Sequence, residues 1–152
     1  MPSDTAFGVA RVLEARDETA ALRAIRLELP PALAPSHQRP GQVVKLRTGA
    51  GAGTFALASA PSPDGCVELL LKRGGTVADA AVAAARPGQE MGISAPFGRG
   101  FPVEEAQGRD VLLFAAGAGI APIRALVQHL LANREASGRI TLFYGQRQAA
   151  DF

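Results

Sequence analysis

Two glycines and a proline interrupt the apolar stretch DVLLFAAGAGIAPIRALVQHLL, residues 110–131. The run before them, Val111 to Ala116, is typical of a parallel strand buried on both faces. At Gly117 and Gly119 the absent side chains would let the backbone turn tightly and approach a diphosphate, which the amides at the start of the following helix attract. Pro122 suits a first helical turn, where its missing N–H costs no hydrogen bond. The stretch indicates either a dinucleotide-binding turn or a compact strand-to-helix turn, which also favours glycine.

Other residue types that do chemistry occur without the partners they need. Cys66 is the one cysteine, so it forms no internal disulfide and is expected to be a buried structural thiol. His37 and His129 are expected to be solvated, and Ser59 lacks the G-x-S-x-G setting of a hydrolase nucleophile. No spacing of ligands suggests a metal site. The sequence therefore assigns no catalytic side chain and no metal.

The composition narrows the class of protein. The chain has 152 residues, of which 47% are hydrophobic and 20% charged, values typical of a globular protein. A net charge of +2 is too small to indicate nucleic-acid or membrane binding. The N-terminus lacks the basic and apolar segments of an export signal, and glycine breaks the longest apolar run. We expect a cytoplasmic protein.

The first hundred residues contain short alternating segments separated by turn residues, which predicts an antiparallel barrel or sandwich. The six candidate strands are FGVARVLEAR, AALRAIRLELP, GQVVKLR, TFALAS, CVELLLK and QEMGIS. A Pro-rich loop is predicted over residues 30–41. A short helix is predicted over residues 76–85, with Thr76 and Asp79 at the spacing of a capping box.

From residue 110 the pattern changes to strand, glycine turn, helix and strand, which is a βαβ unit. The helix segment covers residues 120–135 and the second strand residues 139–145. One helix face is predicted to cover a parallel sheet. Its residues are Ile120, Ile123, Leu126, Val127, Leu130 and Leu131. We place a domain boundary within residues 96–109, which are rich in glycine, proline and charge.

The segments AAGAGIAPIRALV and LFYGQR resemble the pyridine-nucleotide half of the ferredoxin–NADP reductase superfamily, whose members have a GxGxxP turn and a Y-G-x-R strand end. The segments before them occur in the order expected for the superfamily, namely RPGQVVKLR, FALASAPSP, VELLLKRGGTVADAA and ARPGQEMGISAPFGRGF. The resemblance implies a six-stranded antiparallel Greek-key barrel of the flavin-binding type, residues 1–100. A partial Rossmann-like parallel βαβ domain would follow in residues 108–152, as the N-terminal half of an NAD(P)-binding domain. Because the sequence ends after two of five expected strands, we expect an incomplete copy, or a homo-oligomer if the truncation is natural.

The resemblance assigns the nucleotide site residue by residue. The implied residues are Gly117, Gly119, Pro122, Tyr144, Gly145 and Arg147. Pro122 replaces the third glycine of GxGxxG, and the usual ribose-binding carboxylate is absent near Tyr144. Arg147 favours NADPH over NADH, because a guanidinium can hold a 2′-phosphate in a forked contact. The alternative is a solvated loop arginine.

The implied flavin site departs from the family pattern. The family's Arg-x-Tyr-Ser motif corresponds to GTFALAS. In the family, the Arg pairs with the flavin diphosphate, the aromatic ring stacks on the flavin and the hydroxyl reaches flavin N5. Gly53 takes the Arg place, Phe55 the Tyr place and Ala56 the Ser place. The candidate cofactor-binding residues on this strand are Phe55, Ala56, Leu57, Ala58 and Ser59. Simple barrel core is the alternative interpretation.

A second flavin motif, Gly-x-x-Ser or Gly-x-x-Thr, corresponds to Gly75–Ala78 without its hydroxyl. Helix-start amides could still hold a phosphate, with Lys72 or Arg73 neutralising it. The candidate residues are Lys72, Gly74, Gly75, Thr76 and Val77. Each lost charge-assisted hydrogen bond would cost roughly 1.5 to 3 kcal/mol, or about one to two decades of affinity.

The resemblance implies a flavin-dependent oxidoreductase in which NADPH or NADH delivers hydride to flavin N5. The electrons then pass to an unidentified acceptor, which could be a protein. The flavin would be FAD, although FMN stays open. The alternative is a non-catalytic binding or assembly subunit that has lost tight flavin binding. A methyltransferase-like use of the glycine turn is disfavoured, because a barrel precedes it and the usual acidic residue is absent.

Overall fold

Six antiparallel strands form one curled sheet in the computed structural model, which describes residues 6–152. The strands are β1 (Phe7–Asp17), β2 (Leu22–Glu28), β3 (Val43–Thr48), β4 (Gly51–Ala56), β5 (Cys66–Lys72) and β6 (Glu90–Ser94). Their order is β4-β3-β6-β1-β2-β5. Leu57 and Leu69 form an antiparallel bridge that brings the β4 and β5 edges together. The predicted Greek-key barrel is confirmed.

Strand alternation explains why the barrel has an apolar interior. In β5 the side chains of Val67, Leu69 and Leu71 are buried, while Lys72 is exposed. Because successive side chains of a strand point to opposite faces, this pattern supplies one wall of the core. Equivalent residues of the other strands complete the interior cluster.

A short helix, α1 (Thr76–Ala84), packs on the barrel through Ala81. The predicted capping box is wrong, because Gly75 occupies the N-cap position and Thr76 is the first helical residue. The Asp79 carboxylate instead accepts a hydrogen bond from the Gly74 amide at 2.9 Å. The chain before α1 therefore turns with Gly74 in the left-handed region, at φ +103°.

The second sheet has two parallel strands, β7 (Val111–Ala116) and β8 (Ile140–Gly145), joined by α2 (Ile120–Ala132). Leu113, Leu126 and Leu130 form its buried cluster. This confirms the predicted partial Rossmann-like βαβ unit. The predicted helix face is partly wrong, because Leu131 is 57% exposed, whereas Ala121 and Ala125 are buried. The helix also contacts the barrel through other residues, so it packs against two neighbours rather than one.

The segment between the two sheets lies along the barrel. The Phe101 ring packs on Gly41, where an added Cβ would lie 2.6 Å from a ring carbon. Arg39 forms an ion pair with Glu104 and donates to the Phe101 carbonyl at 3.4 Å. These contacts anchor the connection to the Pro-rich loop. Within residues 6–152, no helix combines the length and apolar character that crossing a bilayer requires.

Candidate functional site

The glycine turn lies at the carboxyl end of β7. Gly117 has φ +52°, a left-handed conformation that glycine adopts without steric cost. An added Cβ at Gly119 would meet no atom within 4 Å, and one at Gly117 would meet only Gln146 Oε1 at 3.9 Å. Pro122 lies in the first turn of α2, as predicted. The turn is therefore open on its outer side, at the start of a 13-residue helix whose first amides attract anions.

The end of β8 lies beside this turn. The parallel register pairs Ala116 with Gly145, which places both strand ends at one edge of the sheet. A groove of about 510 Å³ lies over the last three residues of each strand without including the glycine turn, and it is lined by Phe114, Ala115, Ala116, Phe143, Tyr144 and Gly145. The Tyr144 hydroxyl donates to the Gly117 carbonyl at 3.3 Å. Tyr144 therefore ties the two strand ends together.

Gln146 is a site residue that the sequence analysis missed. Its side-chain amide donates to the Tyr144 hydroxyl and to the Asp151 carbonyl, the latter at 2.9 Å. No sequence signal distinguishes this glutamine from an exposed loop residue. Arg147 follows it and is exposed, and its side chain makes no hydrogen bond or ion pair with the residues that the structure describes.

On the barrel, the place of the family arginine is crowded. In the β3–β4 register, Gly53 pairs with Leu46 and Phe55 pairs with Val44. Since Leu46 and Val44 are buried, Gly53 and Phe55 lie on the same, inward face of the sheet. An added Cβ at Gly53 would lie 3.1 Å from Val77 Cγ1 and 3.2 Å from the Phe55 ring. Phe55 is half-buried and packs against the barrel core. The ring and Val77 together narrow the space above Gly53.

The residues after Phe55 contribute to closing the barrel. Leu57 and Ala58 are fully buried. The Leu57 amide donates to the Gln42 carbonyl at 3.0 Å, and the Ala58 amide to the Glu68 carbonyl at 2.7 Å. The Oγ atom of buried Ser59 accepts a hydrogen bond from the Glu68 amide at 2.9 Å. The side chains of Leu57, Ala58 and Ser59 are thus buried in the barrel, while Ala56 is half-buried.

The charges at the start of α1 differ from the expectation. Arg73 donates to Asp17 Oδ1 at 2.6 Å and to the Ala20 carbonyl at 3.1 Å, so its guanidinium is held at the β1–β2 turn. Arg73, and then Arg23, lowers the pKa of Asp17 below its ordinary value. Lys72 is exposed, as are Gly74, Gly75 and Thr76. Of the two predicted phosphate-neutralising cations, Arg73 is therefore bound elsewhere, and Lys72 is the one that stays exposed before α1.

A contact between α2 and the barrel was also missed. Arg124 pairs with Glu68 and donates to the Ala58 carbonyl at 2.8 Å. Gln128, four residues later, accepts the Ala60 amide at 2.9 Å. Two polar residues at helical spacing in an otherwise apolar segment were the available signal. The contact holds the chain after β4 beside the helix that begins at the glycine turn.

Two remaining candidates have structural environments. The expectation that His37 is solvated is wrong: it is 8% exposed, burial lowers its pKa to about 4, and no group of the described residues bonds its Nε2 atom. It lines a groove of about 740 Å³ at the Pro-rich loop, whose lining contains no residue of the glycine turn. Cys66 is half-buried, and burial raises the pKa of its thiol. Neither residue adjoins the glycine turn.

Comparison with known proteins agrees with this geometry. The family model described as "Oxidoreductase NAD-binding domain" matches residues 113–152. The gamma subunit of sulfhydrogenase 1 from Pyrococcus furiosus is 34% identical over 156 residues, which cover 99% of this chain and 53% of that protein. The ferredoxin reductase component of 3-ketosteroid-9-alpha-monooxygenase from Mycobacterium tuberculosis is 32% identical, over 90% of this chain and 41% of that protein.

A solved structure with the same fold is the ferredoxin–NADP+ reductase from Plasmodium falciparum. It superimposes with a TM-score of 0.77 at 12% identity, over 96% of this chain and 61% of that chain. The present chain spans about half the length of the first curated relative and 41% of the second.

Proposed function

We propose, since the chain belongs to the ferredoxin–NADP reductase superfamily, that it is the pyridine-nucleotide-binding part of an electron-transfer reductase. The single observation that supports this most directly is the open glycine turn, where Gly119 faces unoccupied space at the start of α2. Close approach of a backbone to a diphosphate requires such a position. The match of residues 113–152 to an NAD-binding family model supports the same assignment.

The proposed nucleotide site is built from two strand ends. The diphosphate would lie against Gly117 and Gly119, with Pro122 shaping the first turn of α2. Gly145 would leave room along the groove at the strand ends, and Tyr144 would hold the Gly117 carbonyl in position. We also retain the proposed division into a barrel domain, residues 1–100, and a nucleotide domain that begins at residue 108.

The nucleotide preference would depend on Arg147. Its exposed guanidinium lies two residues beyond Gly145, the residue that pairs with Ala116 at the sheet edge. The 2′-phosphate of NADPH offers two oxygens to the planar guanidinium, whereas NADH has no phosphate at this position. We therefore propose NADPH as the preferred nucleotide.

The barrel residues do not fit the diphosphate of FAD. The arginine place at Gly53 is narrowed by Val77 and Phe55, and Arg73 is bound to Asp17. The hydroxyl position of the helix-start motif is Ala78. The function proposed for this chain is therefore nucleotide binding, without a diphosphate site for FAD on the barrel.

The acceptor proposed for the reductase is a partner protein. One relative is a subunit of a sulfhydrogenase, and another is the ferredoxin reductase component of a monooxygenase. Both names describe parts of larger assemblies. An iron–sulfur protein of the ferredoxin type is the partner class that we propose.

Nucleotide titration of two matched glycine variants tests the site. Both Gly119 and Gly49 would accept a Cβ with no atom within 4 Å, and neither has a positive φ. We expect Gly119→Leu to weaken NADPH binding at least tenfold, because its side chain would occupy the diphosphate's place. Gly49→Leu, in the β3–β4 turn, should leave the Kd unchanged. Equal Kd values for Gly119→Leu and the unchanged chain would contradict the proposal.

A non-catalytic assembly subunit is the second candidate. Two observations favour it: the crowded arginine place on β4, and an exposed pair of stacked rings, Phe114 and Phe143, on the parallel sheet. The same titration separates the two candidates, because an assembly subunit would bind neither NADPH nor NADH at millimolar concentration.

A further inference from the structure

We propose that the barrel of this chain has lost the binding place for the FAD diphosphate, so that FAD binds no more tightly than riboflavin does. The inference rests on the proposed function in one respect, which is that the barrel is taken as the flavin-facing part of the chain. Three features of the described residues carry it: the packing of α1 on β4, the charges around the start of α1, and the absence of a hydroxyl group at position 78.

The first feature is the close packing of α1 on β4. Val77, the second residue of α1, lies where an added Cβ on Gly53 would be 3.1 Å from its Cγ1 atom. An added Cβ on Gly51 would lie 3.9 Å from its Cγ2 atom. Two glycines at alternate positions of β4 therefore let the helix approach the strand. An arginine side chain at position 53 would have to displace Val77.

Phe55 narrows the same space from within the strand. Its ring lies 3.2 Å from the added Cβ position on Gly53, and it packs against the barrel core. The aromatic residue of the motif is thus present, and its half-buried ring reduces the space for a longer side chain at position 53.

The second feature is the charge around the start of α1. The guanidinium of Arg73 makes two hydrogen bonds at the β1–β2 turn, to Asp17 and to the Ala20 carbonyl. The Asp79 carboxylate accepts a hydrogen bond from the Gly74 amide at 2.9 Å, just before the helix. Between residues 72 and 79, Lys72 is the one remaining cation, and Asp79 offsets it. A diphosphate here would meet a carboxylate at close range, which is unfavourable.

The third feature is the loss of a hydroxyl donor at the start of α1. Ala78 stands where the second family motif has Ser or Thr. The hydroxyl missing at Ala56 would reach flavin N5, which FAD and riboflavin share, so its loss weakens both alike. The missing donor at Ala78 removes about one decade of affinity or more from a phosphate ligand. The adenosine diphosphate half of FAD would therefore add no affinity to that of the flavin ring and ribityl chain.

The test compares three flavins on the purified chain. FAD, FMN and riboflavin are titrated by quenching of flavin fluorescence, with ADP as a competitor. We expect the three Kd values to agree within about threefold, and millimolar ADP not to displace riboflavin. Saturation by none of the three also supports the proposal, because FAD then has no advantage. A Kd for FAD at least tenfold below that for riboflavin in the unchanged chain would overturn it.

A gain-of-function pair identifies the residues responsible. The double variant Gly53→Arg/Val77→Ala supplies the guanidinium and clears its space, while Gly53→Ala/Val77→Ala clears the space alone. We expect the arginine variant to bind FAD at least tenfold more tightly than the alanine variant does, with riboflavin unchanged. If both variants unfold at the same denaturant concentration and show equal FAD affinity, the assignment to Gly53 and Val77 is wrong.

The outcome is separable from that of the proposed function. NADPH titration of the same samples reports on the glycine turn, which none of these substitutions touches. Loss of NADPH binding throughout would defeat the proposed function and leave the comparison of flavins valid. Retained NADPH binding together with a strong preference for FAD would defeat the further inference alone.

Discussion

Arg124 of α2 and Glu68 of β5 form an ion pair that joins the helix of the parallel sheet to the barrel. The same guanidinium donates to the Ala58 carbonyl at 2.8 Å, in the segment that closes the barrel. The Arg124 side chain therefore bonds to both Ala58 and Glu68, whose backbone hydrogen bond helps to close the barrel. The position of α2 relative to the barrel depends on this contact and on the bond between Gln128 and Ala60.

Replacing Arg124 should destabilise the chain measurably. We expect Arg124→Met to lower the free energy of unfolding by about 1 to 3 kcal/mol, because the partly buried Glu68 and the Ala58 carbonyl lose their partner. Urea unfolding measures the effect, and a double-mutant cycle with Glu68→Gln isolates the pair. Arg11→Met is the matched control, since Arg11 and Glu28 pair at 2.7 Å but are 58% and 46% exposed. That variant should cost less than about 1 kcal/mol, and equal losses in the two would contradict this account.

His37 should make the stability depend on pH. Burial lowers its pKa from 6.5 to about 4, so between these values the unfolded chain binds a proton that the folded chain does not. Folding stability is therefore expected to fall as pH drops from about 6.5 towards 4, by at most about 3 kcal/mol. The chain with His37→Gln should lose this component. Urea unfolding at several pH values measures it, and parallel pH profiles of the two proteins would contradict the prediction.

Carboxylates contribute in a different pH range. The pKa values of Asp17, Asp64 and Glu104 are lowered, mainly by hydrogen bonds from arginine side chains or backbone amides. Their contributions are complete above the ordinary carboxyl pKa values and are lost as pH falls through the lowered ones. The difference between the His37→Gln variant and the unchanged chain at each pH cancels this common background.

The fold followed from local patterns that act over short distances. Alternation in CVELLLK predicted β5 with its observed bounds, Cys66–Lys72, and the apolar run before Gly117 predicted β7. The periodicity of α2 was clear, yet its buried face was assigned as if the helix had one neighbour. Ala121 and Ala125 are buried as well, and Arg124 and Gln128 bond to the barrel, a second neighbour that periodicity does not encode.

The site was less predictable, because it depends on where side chains point. The sequence located the glycine turn and the missing arginine at Gly53, but it gave no indication that Val77 would occupy that space or that Arg73 would bind Asp17. The burial of His37 in a loop of prolines was likewise hidden, since such loops are usually solvated. Contacts between residues distant in sequence decide all three.

The exposed face of the parallel sheet should bind hydrophobic dyes. Phe114 and Phe143 stack at 5.0 Å between ring centroids and are 68% and 53% exposed. We expect Phe114→Ser/Phe143→Ser to reduce the fluorescence of a bound naphthalene sulfonate dye at least twofold, because the pair supplies most of the exposed aromatic area on this face. Phe97→Ser, a change at a 41% exposed ring outside the sheet, is the control. A similar decrease in both variants would contradict the assignment.

Arg147 should discriminate between the two pyridine nucleotides. Its exposed guanidinium follows the end of β8, where only the 2′-phosphate of NADPH offers it a forked, charge-assisted contact. Such a contact contributes about 1.5 to 3 kcal/mol, so Arg147→Ala should weaken NADPH binding roughly tenfold or more and leave the Kd for NADH unchanged. Arg139→Ala is the control, because Arg139 is also exposed but precedes β8 at the other end of the strand. Titrations at two salt concentrations separate the local contact from the general positive charge, since screening would weaken a non-specific effect in both variants alike. Equal losses for NADPH and NADH in Arg147→Ala would mean that the arginine supports the strand end rather than reads the phosphate.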